Sequence, residues 1–586
     1  MRLPDADDAL AAAVVAPASP AGAADAAERA AGDRARRRWG RRGAGAGAMA
    51  PLAWLLAAIC AAPAVSVALT ALFGDWGLWR LLADTVLPAY TLTTLKLAGL
   101  VALGVGAFGV GAAVLVTAFR FPGRRFFEVA LIAPLAFPAY VLAYAYTWAL
   151  DHPGPVQTLL RDVTGWGPRD YWFPEVRSLS GAAVMLVLVL YPYVYLLTRA
   201  ALLHQSVAAA QVARTLGCGP WAVLVRVTLP MARPAIAAGV ALALMETIAD
   251  FGTVAHFGIR TYATGIYSAW FSMGNRVAAA QLAACLLGMA LLLVWLERAQ
   301  RGAARRHEAG RRVERLPEIE LPGARGWAAA GLCAVPVAFG FLIPTLMLAE
   351  MAVRSGLTVD PARYLGFARN SLTLAAVAAA IITGGALAIA YASRLAPGPA
   401  SRTAELSASV GYAAPGGVIA VGLLIPLAWW DNQVDALARE WLGVSTGLLI
   451  TGSLAGLVLA YAARFMAVAL NAVSAGFETV RPSLDASARV LGCSVWAVSA
   501  RIHVPLLRGS LLTAALIVFV DVVKELPATM ILRPFNFDTL AVQAYRLAAD
   551  ERLEQAAVPS LMIAAVGMAP VLLLARSIRR SRPGDG

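Results

Sequence analysis

The sequence predicts an all-α polytopic membrane protein with about twelve transmembrane helices in two parallel six-helix repeats. Three observations predict it. The 586-residue chain is 60% hydrophobic and only 14% charged, with a mean hydropathy of +0.68, far from the balance of a soluble domain. Apolar runs recur at the ~20 residues that a ~30 Å bilayer core demands. One polar segment occurs twice, QVARTLG at 211–217 with WAVLVRVTLP at 221–230, and ASARVLG at 486–492 with WAVSARIHVP at 496–505. Gly217 to Gly492 and Pro230 to Pro505 are the same shift of 275 residues, so the copies align without a gap.

Taken in order, residues 1–47 are rich in Ala, Asp and Arg, end in a basic run and lack a periodic apolar face, which predicts a disordered cytoplasmic tail. Apolar spans follow near 48–73, 89–118, 127–149, 178–202, 235–256 and 278–296, and then near 327–353, 369–393, 408–429, 445–470, 510–530 and 556–576. The predicted divisions are a first repeat over 48–297, a cytoplasmic linker over 298–325, a second repeat over 326–578 and a tail over 579–586. With the N-terminus inside, six spans return the linker arginines to the cytoplasm and twelve return Arg576, Arg579, Arg580 and Arg582, which satisfies the positive-inside rule. Both termini are therefore expected in the cytoplasm. An even number of spans per repeat gives both halves one orientation. Thr93-Thr94 against Asn370-Ser371, and Pro138 against Pro415, extend the correspondence at a shift of 277.

The net charge of +14 resides almost wholly in arginines beside apolar runs, since lysine occurs only at positions 96 and 524. That placement argues for the cytoplasmic loops of a membrane protein and against nucleic acid. The five cysteines and five histidines form no ligand spacing, so no metal site is predicted. No G-x-x-x-x-G-K-[ST] occurs, so the chain is expected to bind no nucleotide or other cofactor itself.

In each duplicated segment a glycine separates two short helix-compatible stretches and a proline precedes the next span. Trp221, Val223, Leu224 and Val227, like Trp496, Val498 and Ile502, can form one apolar face with Arg226 or Arg501 pointing elsewhere. An interfacial helix on the lipid surface is one reading; duplication on one side favours a pair of partner subunits. The pattern resembles the cytoplasmic coupling loop of ABC importer permeases, of the type I, MetI-like kind. Arg214, Gly217, Leu229 and Pro230 match it in the first copy, and Arg489, Gly492 and Pro505 in the second, with Ala213 and Ala488 inside the small-residue triplet. The usual leading glutamate is Gln211 in one copy and Ala486 in the other, where Asp485 stands one place earlier, and Val504-Pro505 replaces Leu-Pro. The resemblance implies that these loops dock on an ABC ATPase dimer at the cytoplasmic face, which handles the ATP.

The span after each loop carries carboxylates four residues apart, Glu246 with Asp250 and Asp521 with Glu525, the second pair beside Lys524. Each costs ~2.5–3.5 kcal/mol at a helix centre on insertion scales. Two readings stand: acidic groups lining the translocation path or gate, or structural partners, with Lys524 neutralised by Asp521 or Glu525 and the first-half acids bonded to neighbouring polar groups. The stretches 250–283 and 524–545 are similar to segments of the fused two-repeat permeases of ferric-iron importers. That similarity implies import of Fe(III) through the bacterial inner membrane, with delivery by a periplasmic binding protein. Related permeases for thiamine, sulfate, polyamines or phosphonates share the loops. A proton-coupled secondary transporter would also account for the acids but leaves the duplicated loops idle. A membrane enzyme lacks any G-x-S-x-G, HExxH or paired-ligand motif.

Overall fold

The computed structural model describes residues 44–204, 207–304, 319–356 and 360–580. Among them, ten helices are long and apolar enough to cross a membrane, or up to twelve if each of two bent pairs is one span. The first repeat comprises Met49–Phe73, Leu87–Ala118, the pair Arg124–Ala136 with Ala139–Thr164, Leu179–Leu203, Pro220–Ala249 and Arg276–Glu297. The second comprises Ala324–Arg354, Pro361–Leu395, Gly416–Leu442, Leu454–Glu478, the pair Val495–Leu506 with Arg508–Lys524, and Leu553–Leu573. The protein is thus an all-α, multi-pass membrane protein whose two halves correspond helix by helix.

Several boundaries differ from the sequence reading. Helix starts at Ala44, inside the expected tail, because the Gly/Ala run at 44–48 continues the first span backwards without a breaker. Arg276–Ala304 runs past the expected linker boundary at 298, and the last helix runs to Arg580, past 578. In both places charged side chains end the apolar run but not the helix, since Arg, Gln and Glu are good helix formers. At the other end of the linker, Ile319–Glu320 pairs in parallel with Phe119–Arg120, and Arg120 meets Glu320 at 3.2 Å. The tail before 44, the linker between 305 and 318 and the residues after 580 lie outside the described residues.

The expected spans 127–149 and 408–429 each straddle a break. Pro138 and Pro415 are extended, with ψ of 148° in both, and each starts a new helix. A proline has no N–H for the preceding turn and its ring disfavours helical geometry before it, so the chain turns there.

The halves are interlocked. Helix Ala44–Phe73 of the first repeat packs against Pro399–Ala413 and Gly416–Leu442 of the second, so closely that a Cβ on Gly422 would stand 2.2 Å from the Pro63 carbonyl oxygen. In the reciprocal contact, Tyr146 donates to the Phe339 carbonyl at 2.6 Å and Phe137 meets Phe341. Within the first repeat, Gly109 and Gly239 bring two helices against Val194 on a third. A Cβ on Gly239 would lie 2.7 Å from Val194 Cα. Small residues at such crossings replace the hydrophobic drive that lipid does not supply. Gly239→Val is therefore expected to loosen the bundle by about 1–3 kcal/mol, read as a lower thermal midpoint in detergent; an unchanged midpoint would show that the crossing tolerates separation.

Candidate functional site

Both duplicated segments fold alike. Val207–Thr215 and Pro482–Val490 are short helices, and each ends on a left-handed glycine, Gly217 at φ +83° and Gly492 at φ +81°. Past the glycine, Cys218 N–H returns to the Ala213 carbonyl and Cys493 N–H to that of Ala488, both at 3.0 Å, closing the helix end. A second short helix then widens into one π turn, Leu224–Thr228 or Ser499–His503, directly before Leu229-Pro230 or Val504-Pro505. The prolines remove an intrahelical donor at that point, which is where helices take up such a turn.

Ala213 and Ala488 are buried, whereas Gln211, Arg214, Gly217 and Gly492 are exposed; Arg489's side chain lies outside the described residues. Of the expected apolar faces, Val223, Leu224 and Val498 pack inward, while Trp221 and Trp496 stay 67% and 59% exposed, beside Leu216 at 78% and Leu491 at 82%. The exposed Trp and Leu correspond between repeats, so each half presents the same apolar knob, with exposed Arg226 or Arg501 nearby.

The acids surround a cavity of about 390 Å³ between the repeats, lined by Glu246, Asp250, Asp521, Lys524 and Glu525 together with Tyr140, Tyr193, Tyr412 and Arg464. They divide into two kinds by repeat-equivalent position. Asp250 turns extended after helix Leu229–Ala249 and caps the next short helix, accepting the N–H groups of Thr253 at 3.0 Å and Val254 at 3.2 Å and the Thr253 hydroxyl at 3.0 Å. Glu525 does the same after helix Arg508–Lys524, accepting Ala528 N–H at 2.9 Å, Thr529 N–H at 3.0 Å and the Thr529 hydroxyl at 2.7 Å. Arg464 adds an ion pair to Glu525 at 3.2 Å. Glu246 and Asp521, the other equivalent pair, line the cavity, and among the described residues neither has a hydrogen-bond or ion-pair partner.

The expected pairing of Lys524 with a neighbouring carboxylate is not formed. Its ammonium donates instead to the Leu135 carbonyl at 2.6 Å, in the other repeat. The reason is the turn at Glu525, which sends that carboxylate onward to its own helix. Arg464 escaped the sequence reading, although an arginine inside the apolar run 445–470 is itself a signal. Four acids against two bases leave the cavity wall with an acidic excess. Among the described residues no three His, Cys, Asp or Glu side chains converge as ligands for a resident metal.

Asp485, just ahead of the second triplet, points inward. It accepts from Arg394 Nε at 2.7 Å and lies 2.5 Å from His503 Nε2. Burial pushes this carboxyl up, but the hydrogen bonds from His503 and Arg394 outweigh it and hold it below the ordinary aspartate value.

Residues 106–306, containing the first duplicated segment, Glu246 and Asp250, match the family of binding-protein-dependent transport system inner membrane components. The chain carries this family's domain in its first repeat. The permease is 23% identical over 486 residues to the Fe(3+)-transport system permease protein FbpB 2 of Haemophilus influenzae, covering 82% of this chain and 88% of that one. It is 22% identical over 483 residues to the putative ferric transport system permease protein FbpB 1 of the same organism, covering 78% and 72%. The molybdenum transport system permease protein ModB of Escherichia coli is 29% identical over 229 residues, 95% of its own length but 37% of the permease, which is the proportion of one repeat.

If Asp250 is a helix cap, Asp250→Ala should cost the permease about 1–2 kcal/mol of thermal stability, while Asp250→Asn, which keeps an acceptor oxygen, should cost clearly less. Equal losses in a detergent melting series would contradict the capping role.

Proposed function

We propose that this permease is the membrane subunit of an ABC importer for ferric iron, passing the ion from periplasm to cytoplasm by alternating access. The observation that carries the reading is the cavity between the repeats: among the described residues its two charged groups without a hydrogen-bond or ion-pair partner are the equivalent carboxylates Glu246 and Asp521, in a wall with an acidic excess. Carboxylate oxygens suit a hard, highly charged cation and repel an oxyanion, and phenol oxygens are further hard donors for the cation. Similarity to two ferric permeases over most of the chain supports the same choice. The ion is cargo in transit. Asp250 and Glu525 hold the helices that border its path, and Lys524 and Arg464 limit the charge of the wall.

ATP is bound and hydrolysed by a separate ATPase dimer, and this chain carries no cofactor. The paired surfaces Leu216–Trp221 and Leu491–Trp496 are the sockets' counterparts, one per ATPase subunit, and the left-handed glycines set the angle at which each is offered. Docking there removes four large apolar side chains from water. A periplasmic binding protein delivers the ion on the opposite face, with both termini in the cytoplasm. Relatives named for molybdenum and sulfate transport favour an oxyanion as the second reading, against which the unpaired carboxylates stand.

Two expectations test this. In proteoliposomes with the partner subunits, Glu246→Gln combined with Asp521→Asn should lower Fe(III) uptake by about tenfold or more, equivalent to ~1.4 kcal/mol on the barrier. Molybdate or sulfate uptake that rises in the same variant would select the oxyanion reading. Gly217→Pro and Gly492→Pro should each abolish substrate-stimulated ATP hydrolysis in inserted protein, since neither can take a positive φ; normal stimulation in both would remove the docking role.

A further inference from the structure

The two repeats are not mechanically equivalent. In the first, the duplicated segment and the following span form one helix, Pro220–Ala249, leading directly to the Asp250 cap. In the second, the corresponding helix bends by 80° between Val495–Leu506 and Arg508–Lys524. A bend of that size interrupts the direct line from the duplicated segment to Glu525.

The second repeat has a different connection. Arg394, on the last turn of helix Pro361–Leu395, grips Asp485 at 2.7 Å and the carbonyls of Phe477 and Val480 at 2.9 Å each. His503, fully buried, completes the cluster on the other side of Asp485, wedged edge-on between Tyr391 and Phe477. At the far end of the same helix, Ser371 Oγ accepts the N–H of Leu540 at 2.8 Å and Asn370 donates to the Asp538 carbonyl at 3.2 Å. Asp538 lies in the loop that follows the Glu525-capped helix, and Leu540 opens the next helix, Leu540–Ala549. Twenty-three helical residues separate Ser371 from Arg394, ~35 Å at ~1.5 Å each.

The first repeat lacks this arrangement. At the same places stand Ala210, Thr228 and Thr117 for Asp485, His503 and Arg394, and the Thr117 hydroxyl turns back to its own helix at Ala113. Thr94, in the place of Ser371, has a buried hydroxyl with no partner among the described residues, and the polar tie at this end is Thr91 to Tyr262 at 2.7 Å. The apolar packing differs too. Ala213 and Val223 form a small cluster of their own, whereas Ala488, Val495 and Val498 belong to the main core.

We infer that helix Pro361–Leu395 is a strut carrying movement of the second duplicated segment to residues 538–540, just beyond the Glu525-capped helix, with Asp485, Arg394 and His503 as positioning residues at one end and Asn370 and Ser371 at the other. The first repeat transmits through its continuous helix. The inference rests on the coupling role of the duplicated segments, but its mechanical content does not need the ATPase and is tested without it.

The test is amide hydrogen exchange on the full chain in lipid nanodiscs. Asp485→Asn and Arg394→Gln should speed exchange at 482–506 and also, across the membrane, at 536–542, by about fivefold. Ser371→Ala should do the reverse, loosening 482–506 from the far end, and Asp485→Glu should restore much of the protection. Changes confined to the neighbourhood of each substitution overturn the strut. Should Arg394→Gln not assemble, Asp485→Asn and Ser371→Ala decide the matter alone. Remote coupling with unaltered ATP-driven uptake in Ser371→Ala would retain the strut and reject the coupling role it serves.

Discussion

A helix that stops inside a membrane must find partners for its free backbone groups, because no water is there to supply them. This permease stops two helices in that way, at Ala249 and Lys524, and in both the next residue is a carboxylate that caps the following helix. The cavity between the repeats depends on that solution. It lets the chain turn within the protein, opens space where a continuous helix would fill it, and commits one acid of each pair to structure while the other stays unpaired at the wall. A charge that is costly in lipid is offset by several hydrogen bonds from one short helix.

Much of this was legible in residue order, for a definite reason. Bilayer thickness fixes the length of an apolar run, so the long apolar helices stood out in both halves. The duplicated segments were equally plain, because a left-handed turn demands glycine at 217 and 492 and little else serves. The acids were found but their division was not. Four-residue spacing reads as one face of a continuous helix, and only the break after Ala249 shows that Asp250 leaves that face. The threonine three residues after Asp250 and four after Glu525 was the available sign, in the manner of a capping pattern.

Long-range partners were beyond reach. Nothing near Asp485 in sequence announces Arg394, 91 residues away, or explains why the acid stands one place before the triplet. Its place follows from geometry: from there it faces the protein, whereas the triplet's leading position, Ala486, is only half-buried. The sequence assigned Trp221 and Trp496 to an apolar face without saying how much of that face the chain itself covers, and the folded surface leaves both exposed in matched positions.

The exchange of first helices between repeats has a consequence for how the protein is made. Helix Ala44–Phe73 has its tightest neighbours in Pro399–Ala413 and Gly416–Leu442. Pro399 follows Phe73 by 326 positions, which at ~5–20 residues per second take roughly 16–65 s to translate. For that interval the first helix can pack on Arg276–Ala304 of its own repeat, but the rest of its eventual groove is not yet synthesised. The unfinished bundle therefore has an open seam, and closing it is a late step in assembly that only the complete second half can perform.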